Sequence, residues 1–367
     1  MKYYIIAGEA SGDLHGSNLI AQLKLLDKDF VARCWGGDLM HAQQVTLVKH
    51  YKDLAFMGFL EVIKNLPTIL RNISFCKKDI LSYKPDVLIL VDYPGFNLRI
   101  AEWAKKQGIK VVYYIAPQVW AWKANRVKKM KQCIDVMLCI LPFEKAYFKN
   151  VWNWDVDYVG HPLIEVVDTF KKQNSLIQKE AVIAILPGSR KQEIAKKLPI
   201  MLQVSKLLPT YNFIVAKAPG LEDEFYAPFL EDYNNVSTAN NKTYEVLSKA
   251  KAAIVTSGTA TLETALFKVP EVVCYKTSGL SYAIGKRLIK IKFIALVNLI
   301  MDRLVVKELI QDELTPTNIA NALQPLLNSN SKESIQLNKD YHDLYLELSK
   351  GGFASQQAAS KIWTFLN

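Results

Sequence analysis

The sequence lacks the features that mark disulfide-bonded, zinc-bound or membrane-spanning proteins. Its 367 residues include only five cysteines, an odd number without any C-x-x-C pair. Scattered cysteines flanked by apolar residues are typical of buried thiols in a reducing compartment, so neither a disulfide scaffold nor a structural zinc site is expected. No uncharged apolar run reaches the ~18 residues of a transmembrane helix. The apolar run in Met1–Glu9 is too short for a signal peptide and predicts a first strand instead.

Acidic residues are fewer than basic residues in this sequence. The 46 Lys and Arg residues outnumber 35 Asp and Glu residues, which gives a formal net charge of +11. This surplus predicts an anionic partner: nucleic acid, an anionic membrane surface or a phosphorylated substrate. Because a single core seldom grows beyond about 300 residues, the length predicts two domains.

Short apolar runs alternate with helical patterns along the chain. Runs this apolar predict strands buried on both faces, hence parallel sheets covered by helices. Two successive series predict an α/β protein of two doubly wound domains facing a cleft. The first series is Tyr3–Ala7, Val31–Trp35, Val87–Val91, Lys110–Ile115 and Val136–Ile140, and the second is Ala181–Leu186, Asn212–Ala216, Ala252–Thr256 and Glu271–Tyr275.

The domain boundary is predicted in the polar stretch Asp168–Glu180, which is rich in Lys, Gln and Asn. The expected organisation is a first domain at 1–167, a linker at 168–180 and a second domain at 181–340. A helical segment at 341–367 is expected to cross back to the first domain or to pack on a second subunit.

A glycine-rich turn follows the first predicted strand and leads into a helix. Its glycines are spaced four apart, so it is not the G-x-G-x-x-G dinucleotide fingerprint, and a nicotinamide or flavin cofactor is not expected. Glu9 and His15 place two titratable groups in this loop, and Ser11 and Gly12 complete the candidate site. The alternative is a tight structural turn with a Ser or Asp cap.

Two further loops follow predicted strands at their carboxyl ends, the edge where α/β sheets bind ligands. Asp92 stands there as a candidate general base, although a carboxylate before a Pro-Gly turn also suits a turn or a helix cap. Trp120 and Trp122 precede a basic helix. Such a pattern occurs in nucleic-acid platforms, sugar-stacking sites and membrane anchors, and equally where core tryptophans lie beside a solvated helix.

Two strand–loop–helix turns in the second half are candidate anion sites. In the first, Ser189 and Arg190 precede a helix, where a guanidinium can clamp phosphate oxygens. The second turn consists of Ser257, Gly258 and Thr259. Glu263, one turn later, is suited to accept hydrogen bonds from ribose hydroxyls or to complement the helix dipole. Neither turn is a Walker A loop, so together they favour a nucleotide diphosphate without nucleotide hydrolysis.

These elements together resemble the lipid-A-disaccharide synthases, a family of bacterial glycosyltransferases, over nearly the whole chain. The resemblance implies two Rossmann-like domains of glycosyltransferase B type. The acceptor and the catalytic base would lie in the domain at 1–167 and the sugar nucleotide in the domain at 181–340. The resemblance also implies functional roles for Asp92 and Glu9, and it implies that Arg190 and Asn298 bind the UDP part of the donor. The matching stretches are Ala7–Asp13, Met57–Val62, Asp92–Asn97, Pro117–Trp122, Leu141–Lys145, Val159–Pro162, Leu186–Arg190, Thr256–Glu263 and Asn298–Ile300.

The same resemblance implies the reaction and the partners. UDP-2,3-diacylglucosamine would react with 2,3-diacylglucosamine 1-phosphate to give a β-1,6-linked disaccharide phosphate and UDP. It further implies a homodimer that lies peripherally on the cytoplasmic face of the inner membrane and binds no nucleic acid. For the reaction that the resemblance implies, we expect Asp92, or failing it Glu9, to be the base of an inverting transfer that needs neither cofactor nor metal.

Two alternatives remain open at the level of the sequence. One is a related sugar-nucleotide enzyme, either a UDP-N-acetylglucosamine 2-epimerase or the transferase that makes a peptidoglycan lipid intermediate. The other is a basic nucleic-acid or membrane-binding module without catalytic activity. Acceptor-dependent release of UDP separates the first from a disaccharide synthase, and saturable UDP binding excludes the second.

A membrane-binding surface is predicted around the apolar residues Met57, Phe59, Leu60, Ile63, Leu66, Ile69 and Leu70. The basic residues expected to accompany them are Lys64, Arg71, Lys123, Lys128 and Lys129. Apolar side chains inserted at the interface and cations facing anionic lipid would act together. The alternative is the buried stripe of an ordinary core helix.

Overall fold

The computed structural model describes residues 1–54, 66–174, 177–218, 221–279, 282 and 291–367. The chain forms two compact units. The first comprises Met1–Pro162 and Leu348–Asn367, and the second comprises Leu163–Glu347. Each unit contains a parallel sheet flanked by helices, which confirms the prediction of two doubly wound α/β domains.

The first sheet has seven strands among the described residues. They are β1 (Lys2–Ala7), β2 (Val31–Gly36), β3 (Thr46–His50), β4 (Val87–Val91), β5 (Lys110–Tyr114), β6 (Val136–Cys139) and β7 (Asp157–Tyr158). Their order is β3-β2-β1-β4-β5-β6-β7, and all neighbours are parallel. From β1, the strands β2 and β3 are added on one side of the sheet and β4 to β7 on the other, so the order of strand addition reverses between β1 and β4. Open α/β sheets bind ligands in the crevice at such a switch point.

The second sheet has six strands among the described residues, in the order β10-β9-β8-β11-β12-β13, again all parallel. These strands are β8 (Val182–Leu186), β9 (Asn212–Lys217), β10 (Val236–Asn240), β11 (Ala252–Thr256), β12 (Glu271–Tyr275) and β13 (Lys307–Ile310). Its own switch point therefore lies between β8 and β11, where the two predicted anion-binding turns begin.

Helices connect the strands of both sheets. Those of the first half are α1 (Ala10–Leu26), α2 (Asp38–Ala42), α3 (Leu66–Tyr83), α4 (Pro94–Lys106), α5 (Arg126–Cys133), α6 (Pro142–Trp152) and α7 (Pro162–Gln173). Those that follow are α8 (Lys191–Leu207), α9 (Asp223–Leu230), α10 (Thr243–Lys249), α11 (Thr259–Leu266), α12 (Leu296–Met301), α13 (Pro316–Leu323), α14 (Lys332–Ser349) and α15 (Ala354–Leu366). No helix among the described residues is long and apolar enough to cross a bilayer.

The strand β4 shows why the central strands are uniformly apolar. Side chains alternate between the two faces of a strand. Leu88 and Leu90 pack into the core on one face of the first sheet, and Val87, Ile89 and Val91 pack into the core on the other face. Both faces are covered, so every position of β4 is buried.

The C-terminal segment returns to the first unit of the same chain. Ala358, Ala359 and Ile362 of α15 belong to the same core as Leu19 and Ile20 of α1. Small alanines allow the two helices to approach closely. This placement corresponds to the first of the two alternatives considered for residues 341–367, although the return begins at Leu348.

The predicted linker corresponds only in part to the structure. Helix α7 continues to Gln173, so the first residues of Asp168–Glu180 are helical, and the change of unit lies earlier, at Leu163. The polar composition that suggested a linker is that of the exposed side and end of this amphipathic helix. The membrane-binding prediction for Met57–Lys64 lies outside the described residues, whereas Leu70 is an exposed residue of α3.

Candidate functional site

The backbone at the carboxyl end of β4 is strained. Asp92 and Tyr93 have left-handed φ angles of 44° and 49°, a conformation that costs a non-glycine residue about 1–2 kcal/mol. Three hydrogen bonds hold it. The Asp92 N–H donates to the Tyr114 carbonyl at 3.0 Å, and the Asp92 carbonyl accepts from Asn97 Nδ2 at 2.8 Å and the Tyr113 hydroxyl at 2.6 Å. Surrounding structure thus maintains a strained residue at the switch point, as is common at functional sites.

Gly8 brings the end of β1 against this loop. A methyl group at Gly8 would lie 2.3 Å from the Tyr93 ring, a distance that no side chain tolerates. The Tyr93 hydroxyl donates to the Leu54 carbonyl at 3.3 Å, which holds the ring in place. The residue after Gly8 is Glu9, so the close approach places the first loop beside the loop of Asp92.

The pKa of the Asp92 carboxyl is raised toward neutral pH. Burial raises its pKa, the negative charge of Glu9 raises it further, and the Tyr93 backbone N–H lowers it, with a result of about 6. A carboxylate with this pKa is mostly deprotonated at pH 7 and is more basic than an exposed aspartate. It therefore has the properties of a general base.

The glycine-rich turn combines exposed and buried groups. Ser11 is exposed, whereas Gly12 is buried against Ala7, whose Cβ would lie 3.2 Å from a Cβ added at Gly12. His15 lies in α1, and its buried Nδ1 has no hydrogen-bond partner among the described residues. Burial lowers the pKa of His15 to about 4, so the imidazole is neutral at pH 7. The first candidate loop therefore offers a hydroxyl and a neutral imidazole beside Glu9.

Trp120 is held by a buried carboxylate that the sequence reasoning did not single out. Its indole Nε1 donates to Glu144 Oε1 at 3.0 Å, and its ring meets Phe143 edge-on at 4.9 Å. The backbone N–H groups of Ile140 and Leu141 donate to Glu144 Oε2. Burial raises the pKa of Glu144 to about 7 against the lowering effect of these hydrogen bonds. Trp120 is thus an anchored side chain, whereas Trp122 is half exposed.

The second unit has a cavity of about 270 Å³ at the carboxyl edge of its sheet. The turn after β8 contributes Gly188 and Ser189, and the turn after β11 contributes Ser257, Gly258 and Thr259. The structure therefore brings both predicted anion-binding turns to one cavity. Gly188 and Gly258 have positive φ angles of 109° and 152°, which glycine adopts without steric cost.

Ser257 and Glu263 are both engaged within the protein at this cavity. The Ser257 hydroxyl donates to the Ile294 carbonyl at 2.8 Å, so its backbone N–H and not its hydroxyl is the group expected to face a ligand. Glu263 Oε1 accepts from the Tyr244 hydroxyl at 3.0 Å, and burial raises the pKa of Glu263. Glu263 is among the residues that line the cavity.

Arg190 and Asn298 are placed differently from the expectation. The Arg190 side chain is 62% exposed and pairs with Glu193 at 3.3 Å, and it is not among the described residues that line the cavity. Asn298 is fully buried, so direct contact with a nucleotide is corrected to a structural role. Its amide donates to Val306 and Glu308 and accepts from two backbone N–H groups, which uses its full hydrogen-bonding capacity.

Two lining residues of the cavity, Lys217 and Thr256, were missed. Both are the last residues of strands, β9 and β11, so the rule that identified Asp92 would have found them. Glu308 was missed as well; it accepts hydrogen bonds from the N–H groups of Ile294 and Ala295 and holds the loop that receives Ser257. No group of three or more His, Cys, Asp or Glu residues within the described ranges is placed to hold a metal ion.

Comparisons with solved structures agree with this architecture. A UDP-GlcNAc 2-epimerase from Neisseria meningitidis bound to UDP-GlcNAc superposes with a TM-score of 0.63 at 15% identity, covering 100% of this chain and 99% of that chain. A spinosyn rhamnosyltransferase superposes with a TM-score of 0.61 at 12% identity, covering 100% of both chains. At such identities the likeness establishes the fold alone.

Sequence comparisons identify the family. The family model described as Lipid-A-disaccharide synthetase matches residues 3–362. The lipid-A-disaccharide synthase of Geobacter metallireducens is 40% identical over 327 residues, covering 86% of this chain and 85% of the relative. That of Coxiella burnetii is 37% identical over 368 residues, covering 98% and 96%. The chain therefore belongs to the lipid-A-disaccharide synthase family, the glycosyltransferases of lipid A biosynthesis.

Proposed function

We propose that this chain condenses UDP-2,3-diacylglucosamine with 2,3-diacylglucosamine 1-phosphate, forming a β-1,6-linked disaccharide phosphate and UDP. Membership of the family supports glycosyl transfer in lipid A biosynthesis. The observation that carries the mechanism is the partly buried Asp92 carboxylate at the switch point of the first sheet, with its pKa raised to about 6. Inversion from an α-linked donor to a β-linked product requires one base and no covalent intermediate.

Asp92 is the general base of this proposal. Its carboxylate accepts the proton of the acceptor 6-hydroxyl while the hydroxyl oxygen bonds to the anomeric carbon on the face opposite UDP. The bond between that carbon and the UDP oxygen breaks with both electrons remaining on UDP. Glu9 raises the proton affinity of Asp92 and is the alternative base.

The cavity of the second unit is assigned to the UDP part of the donor. Backbone N–H groups of Ser189 and of the Ser257, Gly258 and Thr259 turn bind the diphosphate, and Arg190 compensates the charge that develops on the departing UDP. Glu263 accepts hydrogen bonds from the ribose. Donors built into the protein supply this stabilisation, so the proposal includes no divalent metal and no cofactor.

The acceptor is assigned to the first unit. Ser11, Gly12 and His15 lie in the first turns of α1, which begins directly after Glu9, and they are assigned to the acceptor with Trp120. The Trp120 indole N–H is already bonded to Glu144, so the ring of Trp120 is left to contact the sugar. Stacking of a pyranose on an anchored aromatic ring needs little side-chain ordering on binding.

We also propose peripheral attachment to the cytoplasmic face of the inner membrane and assembly as a homodimer. The acylated substrates reside in a bilayer, and the net charge of +11 favours an anionic membrane surface over a neutral one. Lys123, Lys128 and Lys129 are exposed, and the Lys123 ammonium lies 4.2 Å from the ring centroid of the half-exposed Trp122. Light scattering after gel filtration tests the dimer directly.

The proposed mechanism is tested by Asp92→Asn in the purified full-length chain. The amide keeps the shape of the carboxylate and loses its basicity, so turnover falls about 10²–10⁴-fold. UDP binding, measured by calorimetry, is unchanged because Asp92 does not bind the nucleotide. Normal turnover in this variant would transfer the role of base elsewhere, first to Glu9.

A further inference from the structure

The donor cavity contains one lysine that no motif includes. Lys217 is 4% exposed and ends β9. It is the single cationic side chain among the described residues that line the cavity, whereas Glu193 and Glu263 line it as carboxylates. Lys217 is therefore the described lining side chain whose charge favours an anionic ligand, because the other charged side chains that line the cavity are glutamates.

Strand register places Lys217 and a second polar group on the two sides of the predicted diphosphate turn. Val215 of β9 pairs with Ile185 of β8, and Val255 of β11 pairs with Leu186. Continuing both registers along the strands brings Lys217 and Thr256 level with Pro187, the residue before Gly188. The turn after β8 is thus flanked by an ammonium on one neighbouring strand and a hydroxyl on the other.

Both groups retain unused hydrogen-bonding capacity. Lys217 forms an ion pair with Asp223, and an ammonium group has three donors. Asp223 is 73% exposed and also accepts from Asn240, so its charge is shared with solvent and with a second donor. Thr256 Oγ1 is buried and has no hydrogen-bond partner in the described parts of the chain, an arrangement that is uncommon unless a ligand or water completes it.

Arg190, by contrast, forms an ion pair within the protein. Its guanidinium is mostly exposed and pairs with Glu193. The ammonium of the buried Lys197 lies 3.8 Å from the other oxygen of the same carboxylate. The negative charge of Glu193 is therefore compensated by these two cations, and neither of them is among the described lining residues of the cavity.

We propose that Lys217 and Thr256 hold the diphosphate of the UDP-linked donor, with Lys217 supplying the principal positive charge and Arg190 a secondary one. The inference rests on the proposed function, because it assumes that the cavity binds UDP. The Lys217 ammonium donates charge-assisted hydrogen bonds to phosphate oxygens, which are stronger than bonds between neutral groups. The Thr256 hydroxyl donates to the same diphosphate.

The test is calorimetric titration of the full-length chain with uridine and with UDP. Lys217→Met is expected to weaken UDP binding ~10–100-fold, as removal of a hydrogen-bonded charge does, and to leave uridine binding within about twofold. Thr256→Val, which keeps the shape of threonine, is expected to weaken UDP binding by about three- to tenfold. Lys249→Met, an exposed lysine paired with Glu180, is the matched control and leaves both ligands unaffected.

Asp223→Asn distinguishes ligand binding from a structural role of the ion pair. If Lys217 binds the diphosphate, removal of its internal partner leaves UDP binding as tight as in the parent or tighter. Equal weakening of UDP by Lys217→Met and Asp223→Asn would instead assign Lys217 to the fold and overturn the inference. Equal losses for uridine and UDP in Lys217→Met would overturn it as well.

The outcomes also separate this inference from the proposed function. A parent chain that binds no UDP refutes the proposed function, and this inference fails with it. If the parent chain binds UDP and Lys217→Met binds it equally well, only this inference is refuted. Circular dichroism of each variant confirms that the comparison is made between folded proteins.

Discussion

The ionised Asp92 carboxylate destabilises the folded state at neutral pH, and replacement of Asp92 should reveal this effect. Its pKa rises from 3.8 to about 6 on folding, so the folded state holds this proton more tightly than the unfolded chain. Stability from this group is present below pH 3.8 and is lost as the pH rises to 6. At pH 7 the free energy of unfolding is therefore lower by up to about 3 kcal/mol, because a pKa difference of one between the folded and unfolded states corresponds to about 1.36 kcal/mol.

We therefore expect Asp92→Asn to raise the free energy of unfolding by about 1–3 kcal/mol at pH 7. At pH 4, where the native carboxyl is protonated, the gain should nearly vanish. Urea unfolding at the two pH values measures the difference. An equal gain at both would show that shape, and not buried charge, explains the effect.

Glu9→Gln separates the two candidate bases by pH dependence. The charge of Glu9 raises the pKa of Asp92, so its removal should lower that pKa and shift the acid limb of the kcat/KM profile from about pH 6 to lower pH. Activity at pH 7 is then largely retained. A loss of ~10²–10⁴-fold at every pH would instead assign the base to Glu9.

The most informative property of the sequence was the occurrence of a loop directly after an apolar run. That property located Asp92, Glu9 and the two turns of the donor cavity. Glu144 gave no such signal, because a glutamate in the first turn of a helix is ordinary and its burial beside Trp120 depends on tertiary packing. Asn298 was misplaced because a motif match does not distinguish a ligand contact from a buried amide.

The strands show the same division at the level of elements. All nine predicted strands occur, several with identical bounds. The four that were missed, β3, β7, β10 and β13, are the edges of the two sheets. Edge strands are covered less completely and need no continuous apolar run, so β10 reads Val-Ser-Thr-Ala-Asn and is mostly exposed. Apolar patterning therefore predicts the centre of a parallel sheet better than its margin.

The contact that ties the C-terminal segment to the first unit depends on a glycine pair. A methyl group at Gly351 would lie 2.2 Å from the backbone nitrogen of Gly160, and a rigid backbone cannot yield. We expect Gly351→Ala to destabilise the protein by about 1–3 kcal/mol and to accelerate hydrogen exchange throughout α15. Both quantities can be measured on the purified chain.

Gly95→Ala is the matched control for this prediction. Apart from its chain neighbours and the backbone of its own helix, no described residue lies within 4 Å of a methyl group at Gly95, which belongs to α4. In a helix, alanine in place of glycine is expected to be neutral or to stabilise by about 0.5–1 kcal/mol. Unchanged exchange of α15 in Gly351→Ala would mean that the helix is held by its apolar face alone.

At the scale of the whole molecule, the sequence predicted two α/β units but left the destination of the C-terminal segment open between the first domain and a second subunit. The return of residues 348–367 to the first unit is a long-range event that local composition does not encode. A polar stretch was interpreted as a linker, although part of it is the amphipathic end of α7. Charge was informative about partners and not about fold, as expected of a whole-molecule property.

Membrane attachment is a prediction at this scale. Co-sedimentation with anionic vesicles should decrease as salt rises, because cations near the surface contribute about 1 kcal/mol each and are screened. Phe59→Ser and Leu60→Ser should reduce binding further, whereas Leu25→Ser, at a residue 76% exposed in α1, should not. UDP binding by each variant is the control for correct folding. Undiminished vesicle binding by Phe59→Ser and Leu60→Ser, with reduced stability, would assign these residues to the core.

The most direct test of the account is product analysis after incubation of the chain with UDP-2,3-diacylglucosamine and 2,3-diacylglucosamine 1-phosphate. We predict equimolar UDP and a disaccharide whose new linkage NMR identifies as β-1,6, with no UDP released when the acceptor is omitted. UDP release without acceptor, an α linkage, or a sugar nucleotide epimerised at C2 would contradict inverting transfer by this chain.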